Sequence, residues 1–263
     1  MNTPIKLTVS LVTFRTDLAI LTATIASLKA SSVPLEAVII DNTPEDAYFE
    51  QLRRIQGVRL VRSPRNGGYG FGHNHALNHT SPDIPYHLIL NPDVVIHPGC
   101  LETLIAVLEE KPEVGVAMPR ILNKNGTLQY LNKRDPTVLD LALRRFLPGP
   151  VRALPFIKRR MDYYVRMDYG YDAPSDIPYA SGCFMLFRRS VLDALQGFDE
   201  RFFMHFEDAD LSRRARAIAR ILFVPEAIIT HYWARGSHHS WQLLFCTLSS
   251  ARRYFNKWGW KWW

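Results

Sequence analysis

Short apolar runs alternate with longer amphipathic stretches along the first half of the chain. The apolar runs cover residues 7–12, 37–40, 58–61, 86–90 and 114–118. Helical patterns follow the first two runs, and a further helix is predicted over residues 98–111. Because short strands that alternate with helices form parallel sheets covered on both faces, the pattern predicts an α/β fold with a mostly parallel sheet flanked by helices.

The pattern changes in the second half. Residues 144–166 carry seven basic side chains and a single aspartate, which predicts a flexible, basic insertion. After residue 178 we expect a strand, a helix over residues 207–219 and two strands at 221–224 and 228–231. The predicted organisation is one domain over residues 1–236, in which segments 1–125 and 178–236 flank an insertion at 126–177. A C-terminal helix with a basic, aromatic tail follows at 237–263.

Polar side chains stand at the carboxyl ends of predicted strands, at Thr13, Asp41, Asn91 and Asp93. Ligands of such sheets bind beyond these strand ends, although loops after strands are polar in any case. Asp41 can accept hydrogen bonds from a base or a ribose, or it belongs to an Asp-Asn turn. Asp93 can hold a hard divalent cation with help from Asn91, or it closes a Pro-Asp turn.

A glycine-rich loop after the run at 58–61 leads into a further predicted helix. It begins Asn66-Gly67-Gly68, and backbone amides at the start of a helix can hold phosphate. Its spacing matches neither a dinucleotide fingerprint nor a P-loop, and glycine serves close packing equally well.

Three carboxylates, Glu207, Asp208 and Asp210, lie in the first turn of the helix predicted at 207–219. Acidic side chains there offset the helix dipole, but a carboxylate at this position can also act as a general base or lie beside a metal. His231 ends the last predicted strand near the same edge, where it can bind a metal, contact a diphosphate or be structural.

Composition and charge narrow the class of protein. The chain has 263 residues, 47% of them hydrophobic, which is typical of a globular protein. Its three widely spaced cysteines suggest neither a zinc site nor a disulfide framework, and they favour a reducing compartment. The net charge of +7 favours an anionic partner: nucleic acid, a phosphorylated small molecule or an anionic membrane surface. We expect no signal peptide and no membrane-spanning run.

Together these motifs resemble a known family. The segments, in chain order, are NTP after VIID, NGGYGFGHNHAL, LNPDV, ASGCFMLFRRSVLDALQGFDERFFMHFEDADLSRR and VPEAIITH. They resemble family 2 glycosyltransferases of the GT-A fold, with its Rossmann-like sheet, and especially the bacterial rhamnosyltransferase-like branch. The resemblance covers roughly residues 7–231.

The resemblance implies a nucleotide-diphospho-sugar donor and a divalent cation, Mg²⁺ or Mn²⁺. It implies that Asp208 is the general base and that Asp93 and His231 bind the metal. The donor-binding set is Thr13, Asp41, Asn66, Gly67, Gly68, Asn91 and Asp93. Glu207 and Asp210 are expected to support the base or contact the acceptor. The chain departs from the family at Asn91, which replaces the first acid of the DxD motif, so Asp93 carries more of the metal alone.

The predicted reaction is an inverting transfer, because a single base suffices when the acceptor hydroxyl attacks directly and in line. The family branch favours dTDP-rhamnose as donor and a saccharide or lipid-linked saccharide of cell-surface polysaccharide as acceptor. A sugar nucleotidyltransferase is an alternative, but that class has a glycine- and basic-rich signature where this chain has TFRTD. A nucleic-acid-binding module is suggested by charge alone, and no nucleic-acid partner is predicted.

The last twelve residues contain four tryptophans and four basic side chains. Tryptophan favours the membrane–water interface, and basic residues favour anionic lipid. The tail therefore predicts a cytoplasmic protein that binds peripherally to the inner face of the bacterial cell membrane. The alternative is that the tail packs on the domain.

Overall fold

A computed structural model gives the structure of the chain and describes residues 4–232 and 241–263. Within these residues, nine strands form one sheet and ten helices surround it, which confirms the predicted α/β class. None of the helices in this part of the chain is both long and apolar enough to cross a bilayer. Residues 237–240, the predicted start of the terminal helix, lie outside the described residues.

Apart from the short strands β5 and β7, which were not predicted, the strands follow the predicted runs. In chain order they are β1 (Leu7–Thr13), β2 (Leu35–Asp41), β3 (Arg59–Arg62), β4 (Tyr86–Leu90), β5 (Val94–Ile96), β6 (Val114–Leu122), β7 (Ser175–Asp176), β8 (Phe184–Arg188) and β9 (Arg220–His231). The helices are α1 (Leu18–Lys29), α2 (Asp46–Leu52), α3 (Tyr69–Leu77), α4 (Cys100–Glu110), α5 (Val138–Phe146), α6 (Gly149–Arg152), α7 (Pro155–Tyr164), α8 (Arg189–Ala194), α9 (Glu207–Ala215) and α10 (Trp241–Trp258).

The sheet has the order β3-β2-β1-β4-β8-β6-β9-β5, and β7 pairs with β9 outside this path. The first four strands of this order are parallel, as are β6 and β9. Strand β8 is antiparallel to both of its neighbours, β4 and β6. Because β8 runs in the opposite direction, it begins at the edge where β1, β2 and β4 end. The segment before β8 therefore lies beside the polar residues that follow β4.

Helix α3 is fixed to the sheet by a buried polar network. Ser10 Oγ on β1 lies 2.7 Å from His73 Nδ1 on α3 and 2.9 Å from His87 Nε2 on β4. Burial lowers the pKa of His73 to about 3, so its ring is neutral at physiological pH. This network sets the position of the glycine-rich loop that leads into α3.

The sequence showed no regular pattern in the basic insertion, which was predicted to be flexible, but the insertion contains the helices α5, α6 and α7. Thr137 and Asp140 form a capping box at the start of α5. Arg160 on α7 lies 2.7 Å from the buried Asp140 carboxylate, and Arg134 lies 2.7 Å from Asp168. Some of the basic side chains thus hold the insertion together instead of repelling one another.

Two predicted boundaries near the end of the sheet also differ. Helix α9 ends at Ala215 instead of residue 219, and turn hydrogen bonds continue to Ala219. The strands predicted at 221–224 and 228–231 are the single strand β9. Its pairing with β6 shifts between Pro119 and Arg120, which accommodates residues 225–227.

Helix α10 and the tail pack on the domain in part. Tyr254 and Phe255 are buried against Phe206, the residue that precedes α9. Trp260 stacks on Phe255 with 5.3 Å between ring centroids. The Lys261 carbonyl oxygen accepts a hydrogen bond of 2.8 Å from the Val138 amide at the start of α5.

Candidate active site

A cavity of about 430 Å³ opens at the edge of the sheet where β4 ends and β8 begins. Its wall includes Tyr69 of α3, residues of the insertion and the first turn of α9. Of the predicted site residues, Asn91, Glu207, Asp208 and His231 line this cavity. The fold therefore brings together side chains that are up to 140 positions apart in the sequence.

The Asp208 carboxylate is held by three hydrogen-bond donors. Tyr179 Oη donates to Oδ1 over 2.8 Å, the Gly182 amide to Oδ2 over 3.0 Å and the Ala209 amide to Oδ1 over 2.9 Å. Burial raises the pKa of Tyr179 well above its usual range, so the phenol keeps its proton and remains a donor. Donors of this kind stabilise an ionised carboxylate, which still has room to accept a hydrogen bond from a further hydroxyl group.

Gly182 permits this arrangement because its backbone passes close to Asp208. A Cβ atom at position 182 would lie 3.2 Å from the Asp208 Cβ and 3.5 Å from the Tyr69 ring. Tyr69 Oη also donates to the Gly182 carbonyl oxygen over 2.5 Å. A side chain at position 182 would therefore push the amide away from the carboxylate that it supports.

Glu207 is the second carboxyl group in the cavity wall, and it is buried. Burial and, to a smaller extent, the neighbouring Asp208 charge raise its pKa well above the usual range. The protonated form of Glu207 is thus favoured.

Backbone strain marks the entrance to α9. His205 and Phe206 have φ values of 66° and 68°, in the left-handed region that non-glycine residues rarely adopt. The buried Phe206 ring packs on Tyr254, so the hydrophobic cluster under α10 holds this backbone conformation in place. Such strain accumulates at functional sites, and here it turns the chain so that Glu207 and Asp208 meet the cavity.

Asp93 and His231 meet because β5 pairs with β9. Val94 is the register partner of His231, and His231 Nε2 lies 3.3 Å from Asp93 Oδ1. His231 Nδ1 lies 3.0 Å from Gln129 Oε1, an oxygen that can only accept, so Nδ1 carries the proton of this hydrogen bond. In the neutral ring, Nε2 then keeps its lone pair on the side of Asp93, which is the tautomer that binds a metal.

These two side chains fit a divalent cation that shares its coordination with a ligand. Mg²⁺ and similar ions take one or two protein carboxylates and complete their shell with phosphate oxygens and water. No group of three or more His, Cys, Asp or Glu side chains arranged for a metal is found among the described residues. Asp93 and His231 would thus hold the ion only together with the oxygens of a bound diphosphate.

Asp41 ends β2, where it is fully buried. Thr13 Oγ1 donates to Asp41 Oδ1 over 3.1 Å, and the Thr43 amide donates to the same oxygen over 3.0 Å. Asp41 Oδ2 is buried and has no hydrogen-bond partner in the described part of the chain. Thr13 thus orients Asp41, and one carboxylate oxygen remains available to a ligand. The role of Asp41 in nucleotide binding stays a prediction.

The glycine-rich loop packs against the segment that precedes α9. A Cβ atom on Gly68 would lie 2.0 Å from the Phe203 carbonyl oxygen, which also accepts a hydrogen bond from the Tyr69 amide. The Gly67 amide donates to the Arg65 carbonyl, and the Gly68 amide to Asn66 Oδ1. Because these amides already have acceptors, the contacts favour the packing alternative for the loop, and its contact with the donor stays a prediction.

Asp210 lies on α9 close to Glu207 and Asp208 but does not line the cavity. It is fully buried, and its carboxylate lies 2.9 Å from Arg214, 2.7 Å from Lys257 and 2.8 Å from the Trp258 indole nitrogen. Asp210 therefore joins α9 to α10.

Three residues of the cavity wall were not predicted from the sequence: Tyr179, Gln129 and Lys133. Tyr179 directly precedes the ASG segment, which is the only sequence signal for it. Gln129 contacts His231 across 102 positions, and Lys133 pairs with Tyr179 in an isolated β-bridge. Neither lies in a motif, so both could be found only after folding.

Known proteins resemble this chain in sequence. Among curated proteins, it is 28% identical over 231 residues to the N-acetylglucosaminyl-diphospho-decaprenol L-rhamnosyltransferase of Mycobacterium tuberculosis, which covers 81% of this chain and 72% of that protein. It is also 28% identical over 221 residues to rhamnosyltransferase WbbL of Escherichia coli, which covers 81% of this chain and 77% of that protein.

Solved structures resemble the fold. Mannosyltransferase PcManGT from Pyrobaculum calidifontis, in complex with GDP-Man and Mn²⁺, has a TM-score of 0.62 at 18% identity, covering 94% of this chain and 64% of that one. GalNAc-T7 with UDP, GalNAc and Mn²⁺ has a TM-score of 0.62 at 15% identity, covering 87% of this chain and 43% of that one. The chain thus spans less than two thirds of either solved protein, and the likeness confirms the GT-A fold.

The family profile of Glycosyl transferase family 2 matches residues 8–196, which include β1, Asp41, Asn91 and Asp93. The match covers well over half of the 263 residues. The chain therefore belongs to glycosyl transferase family 2.

Proposed function

We propose that the protein is a metal-dependent, inverting hexosyltransferase that moves a sugar from a nucleotide-diphospho-sugar onto a hydroxyl group of a saccharide or lipid-linked saccharide. The observation that carries the proposal is the Asp208 carboxylate, held by three donors in the wall of a cavity that also contains Asn91 and His231. Membership of glycosyl transferase family 2 supports the same reaction class.

In the proposed reaction, the acceptor hydroxyl oxygen forms a bond to the anomeric carbon while the bond to the nucleoside diphosphate breaks. Asp208 takes the hydroxyl proton, because an alcohol is a poor nucleophile until that proton is removed. Direct attack from the face opposite the leaving group inverts the anomeric centre. A divalent cation bound by Asp93 and His231 would neutralise charge on the leaving diphosphate.

The relatives favour a particular donor and acceptor. Two curated relatives are named as rhamnosyltransferases, which supports L-rhamnose as the transferred sugar and dTDP-rhamnose as its donor. The mycobacterial relative is named for an N-acetylglucosaminyl-diphospho-lipid. We therefore propose a lipid-linked acceptor in cell-surface polysaccharide synthesis.

Purified protein is expected to transfer rhamnose from dTDP-rhamnose to a synthetic N-acetylglucosaminyl-diphospho-lipid when Mg²⁺ or Mn²⁺ is present. UDP-glucose and GDP-mannose, tested in parallel, should give much less product. Mass spectrometry detects the added deoxyhexose, and NMR of the product should show an anomeric configuration opposite to that of the donor. A retained configuration would contradict the single-base reaction.

Two outcomes would favour the alternative functions. Release of pyrophosphate from dTTP and a sugar 1-phosphate would indicate a nucleotidyltransferase. Thermal stabilisation by oligonucleotides, with none by nucleoside diphosphate and Mn²⁺, would indicate a nucleic-acid-binding protein.

We also propose that the protein is cytoplasmic and binds the inner membrane face through α10 and the tail. Trp241, Phe245 and Leu248 lie on one face of α10, and Trp241 and Phe245 are 76% and 71% exposed. Trp263 at the end of the tail is 84% exposed. Arg252, four positions after Leu248, continues this face with a positive charge that anionic lipid would attract. Trp258 is excluded from the lipid contact because Asp210 holds its indole nitrogen.

Replacing both Trp241 and Phe245 by serine is expected to weaken binding to anionic vesicles at least about tenfold, because each aromatic side chain loses apolar contact with lipid. Deletion of Trp263 should weaken binding in the same direction. Salt should weaken binding of the intact protein only in part, since ions do not screen the aromatic contribution. Co-sedimentation with phosphatidylglycerol vesicles at low and high salt measures this.

Ile218→Ser is the matched control, because Ile218 is 55% exposed and lies outside α10. This variant should bind vesicles like the intact protein, and all variants should bind nucleoside diphosphate equally. Intact protein that stays in the supernatant at every salt concentration would rule out the membrane contact.

A further inference from the structure

Two basic side chains line the cavity without a carboxylate partner. Lys133 and Arg144 form no ion pair with any carboxylate in residues 4–232 and 241–263. Lys133 Nζ lies 4.7 Å from the centroid of the Tyr179 ring, and the Arg144 guanidinium carbon lies 5.3 Å from that of the Tyr164 ring. An aromatic face attracts a cation, but it does not neutralise one.

Lys133 is in an environment that disfavours its charge. Burial lowers its pKa, while the nearby Asp208 carboxylate acts in the opposite direction. A half-buried ammonium group without an ion pair lowers stability unless an anion compensates it. Arg144 stands at the exposed mouth of the same cavity, so an anion that enters there can contact both side chains.

Lys133 lies beside Tyr179, and therefore in the part of the cavity wall that holds Asp208, where the acceptor hydroxyl group would bind. Gln129, Leu131 and Lys133 alternate along one non-helical stretch and all line the cavity. Gln129 contacts His231, where the donor diphosphate would bind, whereas Lys133 pairs with Tyr179, whose hydroxyl group binds Asp208. The contacts therefore assign Gln129 to the His231 part of the cavity wall and Lys133 to the Asp208 part.

We propose that Lys133 and Arg144 bind a phosphate group of the acceptor, so that the acceptor is a sugar carried on a phosphate or diphosphate ester. This rests on the proposed transferase function and assigns two residues to the phosphate of its proposed acceptor. A neutral oligosaccharide would leave both cations without a partner. The donor diphosphate is the other possible source of the anion, and the test separates the two.

Hexyl phosphate is a suitable probe, with hexanol as its neutral counterpart. Calorimetric titration is done on protein saturated with dTDP and Mg²⁺, so that the donor site is occupied. Hexyl phosphate should bind and hexanol should not. Lys133→Met and Arg144→Met should each weaken hexyl phosphate binding roughly tenfold to a hundredfold, because each removes a charge-assisted hydrogen bond.

Three controls make the result specific. Lys133→Arg should retain binding, which excludes a mere loss of packing in Lys133→Met. Arg159→Met removes an exposed basic side chain from the same insertion and should bind like the intact protein. Affinity for dTDP and Mg²⁺ should be the same in all variants. A loss of dTDP affinity in Lys133→Met and Arg144→Met would assign the two cations to the donor. Equal hexyl phosphate binding in every variant would rule out the proposed subsite.

Failure of this inference is distinguishable from failure of the proposed function. The titration does not require sugar transfer. Loss of hexyl phosphate binding in both Lys133→Met and Arg144→Met would therefore support the subsite even if no donor gave product. Conversely, equal transfer to a phosphorylated acceptor and to its neutral alkyl glycoside would overturn the subsite while the transferase function stood.

Discussion

Replacing Asp208 by asparagine is expected to lower turnover by roughly two to four orders of magnitude, the usual effect of losing a general base, while donor affinity stays nearly unchanged. Asparagine has the shape of aspartate but cannot accept the acceptor proton. Its amide would also direct N–H groups at one of the present donors, Tyr179 or Gly182, so some disorder of the side chain should accompany the loss. Single-turnover transfer assays and calorimetric titration of the donor measure the two quantities separately.

Glu207→Gln is the matched control, since it makes the same chemical change one position away. Because burial raises the pKa of Glu207 and favours the neutral acid, glutamine imitates the form that is already present. The expected loss of turnover is therefore much smaller than for Asp208→Asn. An inactive Glu207→Gln together with a nearly normal Asp208→Asn would place the base at Glu207 instead.

Tyr179→Phe tests how Asp208 is positioned. It removes one of the three donors to Asp208 and leaves the ring beside Lys133. We expect turnover between that of the intact protein and that of Asp208→Asn, because the carboxylate remains but is less firmly oriented. Unchanged turnover would mean that Gly182 and Ala209 suffice to hold it.

Strands β1, β2 and β4 were predictable because each contains a compact run of residues buried by the sheet. Strand β4 occupies the predicted residues, and all of β1 is buried between layers. Strand β5 was missed because it has three residues and directly follows the Asn-Pro-Asp turn. The helices of the insertion were missed because their basic side chains obscure the apolar pattern, and contacts such as Arg160 with Asp140 stabilise them only after folding.

The site was predictable where local sequence carries the chemistry. Asp208 and His231 were found because a motif surrounds each, and the structure places both on one cavity. The role of Asp210 was not readable, since its partner Lys257 is 47 positions away on α10. Lys133 gave no signal at all, because only the pairing with Tyr179 brings it to Asp208.

In the proposed site, Asp93 and His231 hold the cation, so metal binding is expected to be sensitive to the loss of either. Asn91, which stands in place of the first acid of the DxD motif, carries no charge. Asn91 lines the cavity. Its backbone amide donates to the carbonyl oxygen of Cys183, the residue before β8, over 2.9 Å, and this hydrogen bond fixes its backbone. Its side chain can contribute only a neutral oxygen.

Asp93→Ala is therefore expected to abolish the Mn²⁺-dependent part of nucleoside diphosphate binding and nearly all transfer, whereas Asn91→Ala should cost much less. A carboxylate contributes a full charge to a hard cation, and a carboxamide contributes only a dipole. Calorimetric titration of dTDP with and without Mn²⁺ measures the metal-dependent part directly, and it requires no turnover. Asp93→Asn preserves the size of the side chain and should lose the same metal dependence. A folding defect confined to Asp93→Ala would show as a melting temperature below that of Asp93→Asn. Binding that still depends on Mn²⁺ as strongly in Asp93→Asn as in the intact protein would show that the cation is held elsewhere.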